Sequence, residues 1–72
     1  MRARERCNKI IQEMVLLGFE NEITEGQLTN IIINKLDVND NRTILNYIRA
    51  LKAFNYLEEK VPHVYRRTKP EN

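Results

Sequence analysis

The 72-residue chain carries few side chains able to make or break bonds. Its one histidine, His63, follows Pro62 in a turn-like stretch, and no second metal ligand stands at a usable spacing from it. It reads as a surface residue rather than a general base or a ligand. The single cysteine, Cys7, excludes an internal disulfide and a cysteine-built zinc site, and its place on an apolar stripe makes it a small core residue. With glycine only at positions 18 and 26, there is no glycine-rich loop to cradle a phosphate. A non-enzyme is expected, with no cofactor, no metal and no small-molecule substrate.

What the chain offers instead is charge and hydrogen-bond donors. Residues 1–9 hold four bases against Glu5, a balance of +3. Residues 10–41 hold six acids against Lys35, a balance of −5, and residues 42–69 hold seven bases against Glu58 and Glu59, a balance of +5. With Glu71 in the tail the total is only +2, which hides a polarised sequence, and the basic C-terminal half implies a polyanionic partner.

These groups need elements to position them. Cys7, Ile10, Ile11, Met14 and Leu17 recur at helical spacing, so residues 4–17 are predicted to form an amphipathic helix. Gly18 ends it, and Phe19 folds back as the apolar contact after the cap. Residues 20–23 are too short for a helix and read as a loop or a brief strand. Thr24 and Gln27 have the form of a capping box, opening a second helix that runs to about Leu36 and is buried on more than one side through Leu28, Ile31 and Ile32. Residues 37–40 are a turn by composition, and either Asn39 or Asp40 caps a third helix. In that helix Ile44, Ile48 and Leu51 fall on one side, with Arg42, Thr43, Asn46 and Arg49 opposite. Asn55 stands where a left-handed cap would end it. Residues 56–61 and 64–68 partly alternate around Pro62-His63, which predicts a β-hairpin.

Helix, short extended segment, helix, turn, helix and hairpin in one small chain resembles the winged helix-turn-helix family. The resemblance covers residues 24–68 and is most specific over residues 41–57. There Thr43-Ile44, Ile48, Leu51, Asn55 and Tyr56-Leu57 fill the places of the family's second motif helix, its cap and its entry to the wing. The Arg42-Thr43-Ile44 form, with Tyr47 three residues on, looks most like small transcription regulators of archaea and of their plasmids and viruses. Two features depart from the pattern: Asn55 replaces the usual glycine, and the turn between the motif helices is longer than the tightest form.

The resemblance implies a mostly helical α+β fold, a three-helix winged helix-turn-helix with a C-terminal hairpin wing over residues 1–68 and a frayed tail at 69–72. It implies a sequence-preferring, double-stranded DNA-binding transcription regulator whose third helix enters the major groove. Asn41, Arg42, Thr43, Asn46 and Arg49 would then face base edges, where arginine forks onto guanine and asparagine onto adenine. Lys52, Lys60, His63, Arg66 and Arg67 would meet phosphate or the minor groove, and Thr24 would offer helix-start donors to a phosphate. Because neighbours on a strand face opposite ways, Arg66 and Arg67 cannot share one groove unless the strand ends there, and one of them is expected to be structural or solvated.

A protein-protein adaptor docking onto a transcription or replication component is the alternative function. So small a reader also suggests a homodimer on a palindrome, with Val15, Leu16 and Leu17 of the first helix as the seam. At 42% hydrophobic and 31% charged residues, the chain is too apolar for disorder. Its longest apolar run is four residues, too short to span a membrane, and no secretion signal is recognisable, so the expected location is the cytoplasm.

Overall fold

The computed structural model describes residues 3–68. Helix α1 (Ala3–Leu16) buries Cys7, Ile10 and Met14 along the predicted stripe. Its end follows from Gly18, whose φ of +97° admits a left-handed closure. The Phe19 N–H bonds the Met14 carbonyl at 2.9 Å and the Gly18 N–H bonds the Val15 carbonyl at 3.0 Å, satisfying two orphan acceptors. Leu17, expected on the buried stripe, is instead 56% exposed at the end of the helix, its N–H still bonded to the Glu13 carbonyl at 3.0 Å.

Strand β1 (Glu22–Thr24) resolves the ambiguous stretch after α1: Ile23 is buried between two exposed neighbours. Thr24 then caps α2 (Glu25–Leu36) by the predicted capping box, with Thr24 Oγ1 accepting from the Gln27 N–H at 3.2 Å and Gln27 Oε1 from the Thr24 N–H at 3.1 Å. Leu28, Ile31 and Ile32 are buried, and α2 touches α1, α3 and β1.

Asp37 closes α2 in the left-handed region, and of the two possible caps for α3 (Asn41–Ala53) the structure selects Asp40. Asp40 Oδ2 accepts from both the N–H and the hydroxyl of Thr43 at 2.9 Å. Ile44, Ile48 and Leu51 are buried. The end of α3 repeats the closure of α1: Asn55 takes φ +66°, and the Tyr56 N–H reaches the Leu51 carbonyl at 2.8 Å.

Strands β2 (Leu57–Val61) and β3 (Val64–Arg67) form the predicted hairpin around Pro62-His63, with His63 at φ +68° as the second corner and a bulge between Glu59 and Val61. The wing is not a free two-stranded ribbon. Strand β3 also pairs with β1, giving a three-stranded antiparallel sheet in the order β1-β3-β2. Its inner face places Ile23, Tyr65 and Leu57 into one core with the helices, and no polar or charged residue is buried there among the described residues. The result is a mostly helical α+β winged-helix layout. The tail predicted to fray, 69–72, lies outside the described residues. No helix among the described residues is long and apolar enough to cross a membrane.

Candidate nucleic-acid interface

The face of α3 opposite the core is set by helical periodicity. With Ile44, Ile48 and Leu51 pointing inward, residues 42, 45, 46, 49 and 53 must line the outer side, and Arg42, Leu45, Asn46, Arg49 and Ala53 are all exposed. Helix α3 has no Asp or Glu, and neither Arg42 nor Arg49 enters an ion pair among the described residues. Two guanidinium groups and an amide thus stand within two turns of one another, facing solvent.

The remaining two predicted readers lie at the margins of this face. Asn41 is exposed at the first turn on the sheet side. Thr43 is half-buried on the α1 side, its hydroxyl proton given to Asp40. The same two bonds hold the Asp40 carboxyl below its ordinary range. Leu45, at 44% exposure amid the arginines, was not read from the sequence as a surface group, although its spacing from Arg42 and Arg49 places it there.

The predicted backbone contacts look different in three dimensions, because acids from the middle of the chain fold against them. Lys60 Nζ lies 2.6 Å from Glu22 Oε2, and Lys52 Nζ lies 3.4 Å from Glu59 Oε1. Arg66 stands between Glu22 and Glu58 in the sheet register and donates to Glu58 from Nε at 2.9 Å and from a second nitrogen. Arg67 is half-buried and donates to the Glu20 carbonyl at 3.3 Å, so of the two neighbouring arginines it is the one turned to the fold. A cation held by a carboxylate offers a phosphate less net charge than a free one.

At the wing tip, His63 Nδ1 lies 2.8 Å from Glu25 Oε1, the Tyr65 hydroxyl donates to the same oxygen at 3.2 Å, and the Glu25 N–H bonds the His63 carbonyl at 2.8 Å. The Glu25 hydrogen bond raises His63 above its ordinary value, and the same bond, viewed from the acid, lowers Glu25. Burial, helped by the Glu25 charge, pushes the Tyr65 phenol up to about 12. Glu59 is lowered by accepting from the His63 N–H at 3.1 Å, and Glu22 by its bond with Lys60. The clasp also bears on Thr24. The N–H groups of residues 24, 25 and 27 are already bonded within the protein, and Glu25 places a carboxylate at the helix start.

On the other side of α3, two bases of α1 approach its aromatic residues. The Arg4 guanidinium lies 4.8 Å from the Phe54 ring centroid. That of Arg6 lies 5.8 Å from the Tyr47 centroid and donates to the Tyr47 hydroxyl. Neither was singled out from the sequence, where they appear only as part of the basic balance of residues 1–9.

The arrangement on α3 presents hydrogen-bond donors to solvent. Cys7 is buried, and burial pushes its thiol up, away from the reactive thiolate. Among the described residues no group of three or more His, Cys, Asp or Glu side chains is placed to hold a metal ion. No protein-family model matches the chain, and neither a curated protein nor a solved structure matches it.

Proposed function

We propose that the chain is a sequence-preferring, duplex DNA-binding transcription regulator acting in the cytoplasm, with α3 entering the major groove. The observation that carries this reading is the outer face of α3: Arg42, Asn46 and Arg49 exposed together, free of acids, on a helix whose opposite side is anchored in the core. Guanidinium and carboxamide groups are the ones that fork onto guanine and adenine edges, and Leu45 between them suits a thymine methyl. The sheet holds α3 at its angle, while the paired cations of the wing give it a smaller electrostatic part.

The test is fluorescence anisotropy with a labelled mixed-sequence duplex across a salt series. Binding with a log-log slope of about −4 or steeper supports the reading, since each phosphate contact contributes roughly −0.9. Absence of binding at about 50 mM salt overturns it. Arg42→Ala with Arg49→Ala should abolish binding while leaving the melting transition in place.

One feature favours the adaptor alternative: Leu16 and Leu17 are 79% and 56% exposed at the end of α1, an apolar spot on a chain whose wing charges are satisfied internally. In the DNA-binding reading the same spot is the seam of a homodimer. Sedimentation separates the two uses. A mass above the 8.6 kDa of one chain at micromolar concentration supports the dimer, and Leu16→Glu should return it to the monomer.

A further inference from the structure

We propose that Arg4 and Arg6 form a phosphate-binding edge for one strand of the duplex, lying alongside the groove that α3 enters; this rests on the DNA-binding reading above. A helix with its side chains is about 10–12 Å across and the major groove about 12 Å wide, so a helix seated there has a sugar-phosphate backbone close on either side. The two flanks of α3 differ in what they present to those backbones. On the sheet flank stands Lys52, tied to Glu59. On the α1 flank stand Arg4 and Arg6, and neither has a carboxylate partner among the described ion pairs.

Their positions are held from α3 itself. Tyr47 and Phe54 are two helical turns apart and share the flank between the buried and outer faces. Arg6 is fixed there by its hydrogen bond and its ring contact, and Arg4 by its place over Phe54. Stacking occupies the planar face of a guanidinium and leaves N–H groups on its edge able to donate, with less freedom to lose on binding. Two such groups, spaced along the reading helix, can each meet a phosphate of one strand and carry no sequence preference.

The experiment uses the whole chain in the same anisotropy salt series, comparing wild type, Arg4→Gln with Arg6→Gln, and Arg4→Lys with Arg6→Lys, each checked by its melting curve. The glutamine pair should reduce the magnitude of the log-log slope by about 2 and weaken binding equally on all duplex sequences, and the lysine pair should keep most of the slope. An unchanged slope for a folded glutamine pair overturns the phosphate edge while leaving the DNA-binding reading intact. A lysine pair that loses as much slope as the glutamine pair assigns the effect to packing on Tyr47 and Phe54 and also overturns it. If wild type itself fails to bind, the DNA-binding reading falls, and this edge with it.

Discussion

Residues of the same type have different tasks here, and partners decide which. Arg42 faces solvent from α3, whereas Lys60 is held by Glu22 at 2.6 Å. On the proposed DNA-binding reading, Arg42→Ala should therefore cost about 1–3 kcal/mol on a matched site and relax preference at one base pair. Lys60→Ala should leave affinity nearly unchanged; equal losses in the two variants would show that the wing pairs open on binding. His63 and Glu25 make a pH-dependent clasp between wing and α2. His63, raised, contributes fully below its unfolded value near 6.5 and loses this as pH climbs through the raised folded value. Glu25, lowered, contributes above its unfolded value of about 4.5 and loses this as pH falls through its folded value. The protection factor of the Glu25 amide should thus be greatest between about pH 4.5 and 6.5. In His63→Gln it should vary little from pH 5 to 8. None of these pairings was legible in the sequence, because Glu22 and Lys60, like Glu25 and His63, are 38 residues apart and meet only through the sheet.

Elements announce themselves when their signals are local. The capping box at Thr24, the closures at Gly18 and Asn55 and the stripe of α3 each lie within a few residues, and each stands where the sequence puts it. Strand β1 was ambiguous for the opposite reason: three residues carry one alternation, and their partners in β3 lie beyond α2 and α3. The outer face of α3 was legible from the same periodicity as its core. The flank bearing Arg4 and Arg6 was not, because it depends on how α1 packs. Substitutions at the caps should act on whole helices. No heavy atom lies within 4 Å of a side chain added at Gly18, so Gly18→Ala should lose about 1–2 kcal/mol through the left-handed backbone and not through a clash. Thr24→Ala should lose about 1 kcal/mol by removing the cap of α2. Urea melts read both, and a neutral Gly18→Ala would mean that the turn relaxes to another conformation.

At the scale of the molecule, polarity along the sequence is not polarity in space. The acidic segment, through Glu22 and Glu25, folds onto the basic C-terminal half, while Arg42 and Arg49 of α3 and Arg4 and Arg6 of α1 enter no ion pair among the described residues. One core serves every element, so damage to it should be felt everywhere at once. Leu28, fully buried on α2, is a suitable probe: Leu28→Ala should cost about 2–5 kcal/mol, a large share of the roughly 5–15 kcal/mol that holds a domain folded. A single cooperative loss of helix and sheet signals on heating is expected, and two separate transitions would divide the wing from the helices. The strand order carries a further meaning for the chain as it is made. Because β3 lies between β1 and β2 and comes last of the three, neither ladder can exist until the ribosome has released residues 64–67. Until then Ile23 and Leu57 wait on unpaired strands, and a message cut short at Pro62 would yield three helices with two orphaned edges, a substrate for proteases rather than a smaller domain.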